Sequence, residues 1–243
     1  MYPSESGADV LAGPYERGSD RLADEIRRWR SELTLRRGAS SRGVLRRTVD
    51  LGLALAAVVA LAPLLIVISI LIKLHDGGPV LFAQKRIGRG GRRFYCFKFR
   101  SMRPDAEAYL QQLLSANPVL RREWEQNHKL KQDPRITPLG DFLRRSSLDE
   151  LPQLFNIIRG EMSIVGPRPI VDAEIHRYGR WYRYYTKVRP GLTGLWQISG
   201  RSDVSYRRRV AMDRLYVRTR SLNSYVWILL ATAPAVLMRR GSY

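Results

Sequence analysis

The chain has 243 residues, enough for one sizeable domain or two small ones, and carries 42 Lys and Arg against 22 Asp and Glu, a formal charge of +20. Such an excess implies a polyanionic partner: nucleic acid, an anionic membrane surface or phosphorylated substrates. The single cysteine, Cys96, excludes an internal disulfide and a multi-cysteine zinc site, and His75, His128 and His176 share no metal-ligand spacing.

Residues 1–43 are polar and mix both charges, and they read as an N-terminal extension, disordered at its start. Within it, 20–37 has Leu22, Ile26, Trp29 and Leu33 at helical spacing, the pattern of a partner helix or of one lying on a membrane surface. The membrane segment follows, over 44–74. Its core, 51–72, reads LGLALAAVVALAPLLIVISILI without a charge. As a straight helix it extends about 33 Å, enough for a hydrocarbon core of about 30 Å. Two features oppose a simple crossing. Pro63, near the middle, removes a backbone donor and clashes with the preceding turn. Both flanks are basic: Arg42, Arg46 and Arg47 precede the run, and 73–103 carries nine Lys or Arg and one Asp. Basic flanks favour the cytoplasm, so a helix that bends at Pro63 and returns to the same face satisfies both ends; a single kinked span is the alternative. Asp50, at the entry, is expected to stay at the interface and pair with a nearby Arg, because a charge deeper in the core is costly.

Residues 75–243 form the expected cytoplasmic domain. VLFAQKRIGRGGRRFYCFKFRSM (80–102) reads as a β-hairpin around Gly88, Gly90 and Gly91. Residues 105–130 look helical with a break near Asn117-Pro118, and Pro134 and Pro138 mark a loop. IVGPRPI (164–170) is a rigid turn in which Pro167 and Pro169 bracket Arg168. Residues 175–220 hold 12 Lys or Arg against two Asp, interleaved with Tyr and Trp. Nucleic acid or an anionic lipid surface fits that mixture, and the neighbouring apolar run favours lipid. YVWILLATAPAVLM (225–238) is too short to span and suits a helix in the interface or packed on the core.

The stretch RRSSLDELPQL (144–154) concentrates the chemistry. Ser147 and Glu150 match a capping box, the ordinary structural explanation. Pro152 strains it, because a helix capped by Ser147 would need a hydrogen bond from position 152. A helix that starts one or two residues later puts Pro152 in the first turn and Asp149 at or beside the N-terminus, where phosphate is attracted. Arg144 and Arg145 reinforce that attraction. A carboxylate that attacks an anionic phosphate needs a cation to screen the repulsion, and Mg²⁺ with oxygen ligands suits. An Asp nucleophile would split the transfer into two easier steps.

Taken together, RRTVD before the apolar run, FKFRSM, DPRITPLGDFLRRSSLDELPQLFNIIRGEMSIVGPRPI, VRPGLTGLWQISGR and the terminal RGSY form an ordered set. From Arg46 to Tyr243 the chain resembles the bacterial polyprenyl-phosphate hexose-1-phosphate transferases, the small monotopic phosphoglycosyl transferases, and most of all those that prime exopolysaccharide repeat units. The resemblance implies a mostly α protein with a small β-hairpin, held on the cytoplasmic face of the bacterial inner membrane by a re-entrant helix broken at Pro63 and by interfacial amphipathic helices. It implies that Asp149 attacks the β-phosphate of a UDP-hexose, releases UMP and passes hexose-1-phosphate to undecaprenyl phosphate. Glu150 would help with Mg²⁺, held by Asp149 and Glu150, or with the proton. Lys98, Arg144 and Arg168 fall on phosphate contacts, and Arg189 and Arg201 on the nucleotide side. The implied partners are the donor, the lipid acceptor and anionic inner-membrane lipid, with no nucleic acid; a homo-oligomer stays open. Three positions depart from the family pattern: Ala62 where Ser is common before the proline, Tyr225 where Asp is common, and Thr219-Arg220 for Asn-Trp. The competing readings are a basic membrane-anchored binding protein without catalysis, and a scaffold whose site has decayed.

Overall fold

A computed structural model describes residues 41–127, 130, 132–200 and 204–237. The expected helix at 20–37, Arg201 and the terminal RGSY lie outside the described residues. Among the described residues the protein is mostly helical, with one antiparallel and one parallel strand pair.

Helix α1 (Ser41–Asp76) is one 36-residue element that runs through Pro63. Its stretch Gly43–Asp76 is long and apolar enough to cross a membrane, and little of it is buried. Leu55, Val59, Leu64, Ile66 and Val67, around the proline, are exposed. Each flank nevertheless touches the rest of the chain. Before the proline, Arg47 donates to the carbonyls of Ile157 (2.6 Å) and Ile158 (3.0 Å). After it, Ile68 and Ile72 pack with Phe99 and Leu143, and Asp76 pairs with Arg100.

The hairpin expected over 80–102 is present. Strand β1 (Leu81–Ile87) pairs antiparallel with β2 (Arg93–Phe99), with Phe82 opposite Lys98, Gln84 opposite Cys96 and Arg86 opposite Phe94. Its tip turns at Gly90 and Gly91, whose φ values of 70° and 75° favour glycine. The helical region breaks where expected, into α2 (Ala106–Ala116) and α3 (Pro118–Asn127). The Asn117 side chain accepts from Val119 N (3.0 Å) and Leu120 N (3.2 Å), so it caps the second helix. Pro138 does not sit in a loop as expected. It is the first residue of α4 (Pro138–Ser146), where its missing N–H costs nothing, and Thr137 caps that helix by accepting from Gly140 N at 3.0 Å.

Helix α5 (Gln153–Arg159) docks on β2 through Asn156, which is fully buried. The Asn156 amide accepts from Phe97 N (2.9 Å) and donates to Tyr95 O (2.7 Å), extending the strand edge with a side chain. Strand β3 (Ser163–Val165) pairs in parallel with β4 (Gly191–Thr193), a pair the sequence patterns did not announce. The loop after β3 presses on β4 so closely that a Cβ on Gly191 would lie 2.0 Å from Gly166 N. Short helices α6 (Ile175–Tyr178), α7 (Tyr182–Tyr185) and α8 (Leu195–Ile198) follow. A buried cluster of Ile87, Ile170, Tyr178, Tyr185 and Val210 joins the hairpin to α9 (Tyr206–Thr219).

Helix α10 (Leu222–Leu237) buries Tyr225 and Ile228 and leaves Val226, Trp227 and Leu230 exposed. Tyr225, one of the departures from the family pattern, docks the helix by donating to Asp50 Oδ1 at 2.9 Å. Asp50 is thus not paired with Arg as expected. Among the described residues its carboxylate accepts from three neutral donors: Tyr225 OH, Ile164 N (2.9 Å) and Ser163 Oγ (2.7 Å). Burial explains the exchange: Asp50 is 3% exposed, where dipoles that close tightly around the charge satisfy it without burying a second ion.

Candidate active site

Helix α4 ends at Ser147, which takes a left-handed φ of 60° and reverses the chain. Leu148–Glu150 then form a single 3₁₀ turn, and Pro152 precedes α5 in helical conformation. The proline is therefore placed where no donor is required, as its chemistry demands. The capping box does not form: Ser147 makes no side-chain cap, and Glu150 points instead to Lys98 and Arg168. Asp149 lies in a tight turn just ahead of α5. Leu148 and Leu151, on either side of the acidic pair, pack on the cluster built by Ile68, Ile72, Phe99 and Leu143. The long apolar helix α1 thus supplies part of the floor beneath the pair.

Lys98 reaches the site because strand alternation puts it on the face of Phe94 and Cys96. Its Nζ lies 2.6 Å from Glu150 Oε1 and 3.3 Å from Asp149 Oδ2. Arg168, projected by the Pro167–Pro169 turn, donates to Glu150 Oε1 at 3.4 Å. Arg144 donates to Ser101 Oγ (2.8 Å) and attracts Asp149 over a longer range. The two carboxyls are driven apart electrostatically. Burial pushes Asp149 above the usual aspartate range, against the pull of Lys98, and Glu150 adds to the push. Burial also acts on Glu150, but there Lys98 and Arg168 outweigh it and hold that carboxyl well below its usual range. Among the described residues Asp149 Oδ1 and Glu150 Oε2 make no hydrogen bond, so each carboxylate keeps one oxygen for a ligand.

Lys98, Arg144, Asp149, Glu150 and Arg168 are therefore brought together, while Arg189 points elsewhere. Its Nε donates to Gly160 O (2.6 Å) at the end of α5, beside the carbonyls that Arg47 caps. A cavity beside Glu150 adds residues that the sequence reading passed over: Arg86, Gln153 and Gln197, with the backbone of Gly191 and Leu192. The hairpin register was the available signal for Arg86, since residues 82, 84 and 86 share a face with 94, 96 and 98. Arg86 is fixed there by its bond to Pro169 O at 2.8 Å.

The family model described as bacterial sugar transferase matches residues 41–239. The chain is 49% identical over 201 residues to the exopolysaccharide production protein ExoY of Sinorhizobium fredii, covering 83% of this chain and 89% of that protein. It is 49% identical over 199 residues to the UDP-galactose-lipid carrier transferase of Erwinia amylovora. It is 47% identical over 199 residues to the undecaprenyl-phosphate galactose phosphotransferase of Salmonella typhimurium. Those two alignments cover 82% of this chain but 42% of each relative. A match of this extent, over all of the elements that build the site, decides the assignment: the chain belongs to the bacterial sugar transferase family.

Proposed function

We propose that this chain, a phosphoglycosyl transferase by family, moves hexose-1-phosphate from a UDP-hexose to undecaprenyl phosphate through a phosphosugar-aspartate on Asp149, and so primes exopolysaccharide repeat-unit synthesis. The observation that carries the reading is a buried aspartate whose neighbours are Lys98, Arg144 and an Arg168-bound glutamate, on a floor shared with an apolar helix. In the first step an oxygen of Asp149 bonds to the β-phosphorus. The bond from that phosphorus to the bridging oxygen breaks, and UMP leaves. In the second, a phosphate oxygen of the lipid attacks the same phosphorus, and the Asp149 carboxylate is released as the leaving group. Lys98 and Arg168 offer a point charge and a planar fork to the phosphate oxygens. Glu150, held ionised by both, keeps those cations in place.

The donor set fits Mg²⁺, which commonly takes one or two carboxylates and completes its shell with water and phosphate oxygens. Asp149 and Glu150 would hold it, and bound there it would screen the repulsion between carboxylate and diphosphate. A re-entrant course for α1 is part of the same reading. Along a straight helix, residues 47 and 72 would stand about 37 Å apart. Yet Arg47 meets Ile157 and Ile72 packs in the cluster that holds Leu151, and 151 and 157 are about 10 Å apart along one turn and helix. A bend at Pro63 brings both flanks to one body and both ends to the cytoplasmic face of the inner membrane. Exposed Val226, Trp227 and Leu230 and the Lys and Arg of 175–220 suit contact with anionic lipid there. A non-catalytic scaffold gives no reason for the assembled acidic pair.

The test is single-turnover chemistry without acceptor. Purified protein, Mg²⁺ and UDP-hexose labelled in the sugar should yield UMP and a labelled protein, and Asp149→Asn should abolish both. UMP release from the wild type only when polyprenyl phosphate is added would remove the covalent step.

A further inference from the structure

The cavity beside Glu150 contains two carboxamides that the transfer chemistry does not use. Gln197, on α8, buries its Oε1 without a hydrogen-bond partner. Gln153, the first residue of α5, is 2% exposed and lines the same cavity, and its amide makes no hydrogen bond among the described residues. Buried amides are normally paired, so these two point to an occupant that pairs them. The cavity's other polar walls are Arg86, Lys98, Glu150 and Arg168, and no aromatic side chain lines it.

Two parts of a nucleotide sugar compete for such a place. A pyrimidine ring prefers an aromatic face to stack on, which the lining lacks. A hexose presents several hydroxyls, each both donor and acceptor, and a carboxamide matches them with two donor hydrogens and an acceptor oxygen. Position agrees. The hexose hangs directly on the phosphorus that Asp149 attacks, whereas the uridine lies one phosphate further away. The cavity shares Lys98 and Glu150 with the acidic pair, so it adjoins the reacting phosphate.

We infer that this cavity, about 10 Å³ and so with room for one water-sized group, receives a hydroxyl of the donor's hexose, and that Gln153 and Gln197 read that hydroxyl. The inference rests on the transfer proposed above and assigns the part of the site that selects the sugar. The tight backbone contact between Gly166 and Gly191 holds the Arg168 turn against the strand that leads to α8, so phosphate and sugar contacts are fixed by one framework.

The experiment compares kcat/KM for a preferred UDP-hexose and its C4 epimer, using the full chain with polyprenyl phosphate. Gln197→Ala should move the ratio between the two donors by roughly tenfold or more, with UMP inhibition and the thermal midpoint unchanged. Gln197→Asn, one methylene shorter, should move it in the same direction by less, and it carries the test if the alanine variant misfolds. An unchanged ratio in an active protein, or a weakening of UMP inhibition that matches the loss of activity, would overturn the subsite and leave the transfer reading intact. A wild type that releases no UMP from any UDP-hexose would sink the transfer reading, and the subsite with it.

Discussion

Lys98→Met is the most direct probe of the acidic pair, because it keeps an unbranched stem of similar length and removes the charged end. That ammonium lies 3.3 Å from Asp149 Oδ2 and 2.6 Å from Glu150 Oε1. Two unit charges 4 Å apart interact by about 4 kcal/mol at an effective dielectric of 20. The Lys98 side chain is 23% exposed, so solvent reduces this, and a range of about 1.5–4 kcal/mol is reasonable. At 1.36 kcal/mol per unit, the Asp149 pKa should rise by about one to three units. The sign is fixed by the chemistry. Burial already places Asp149 above the usual aspartate range, and in the proposed transfer only the ionised form attacks, so activity should be lost as pH falls through that pKa. Removing Lys98 moves this acid limb to higher pH. The assay is log kcat/KM for UMP release against pH, from about 5 to 9, for both proteins. The plateau should also drop, by roughly 10²–10³-fold, if the same ammonium stabilises phosphate charge in the transition state. A limb that stays in place, or moves to lower pH, would refute the electrostatic account of the pair.

Two further substitutions test the scaffold. Tyr225→Phe removes the hydroxyl that donates to the buried Asp50 carboxylate; a loss of about 1.5–3 kcal/mol is expected, read as a lower thermal midpoint in detergent, and an unchanged midpoint would mean that the bond contributes nothing. Asn156→Ala strips the partners from Phe97 N and Tyr95 O and leaves a gap where a fully buried amide stood; a loss of about 3 kcal/mol should appear as poor folding yield, and a variant of wild-type stability would contradict the role given to this side chain.

Local chemistry made much of the fold readable. Glycine at 90 and 91 announced the hairpin tip, Asn117-Pro118 the helix break, and Pro152 the start of α5, because each residue type restricts the backbone in its own way. The acidic pair was readable for the same reason: Pro152 conflicts with the capping box that would otherwise explain Glu150. What was not readable depends on contacts distant in sequence. The parallel pairing of Ser163–Val165 with Gly191–Thr193 joins two three-residue strands too short for any alternation to register. Arg189 carries the same charge as Arg168, and nothing local says that one turns to the acidic pair while the other caps α5. Asp50 was expected to take an Arg because basic residues are its sequence neighbours. Its actual donors come from 163, 164 and 225, which only the folded chain brings together.

The two flanks of Pro63 act on different halves of the site. The entering flank, through Asp50, holds Ser163 and Ile164 at the start of β3, and that strand leads into the turn that presents Arg168. The leaving flank, through Ile68 and Ile72, supports Leu148 and Leu151 around the acidic pair. A change in the angle at Pro63 would therefore shift Arg168 and Asp149 relative to each other, and the Arg168–Glu150 contact, already 3.4 Å long, would be among the first to respond. The apolar helix is thus a structural member of the candidate site, beyond the anchoring role proposed for it. The transfer proposed above, in which a soluble donor and a lipid acceptor meet at one carboxylate, would gain from this arrangement, because residues on both flanks support the site. Contact is confined to one side of the helix: Ala54, Ile68 and Ile72 are buried, while Val59, Ile66, Ile70 and Leu71 stay exposed, the surface that the proposed anchoring would give to lipid.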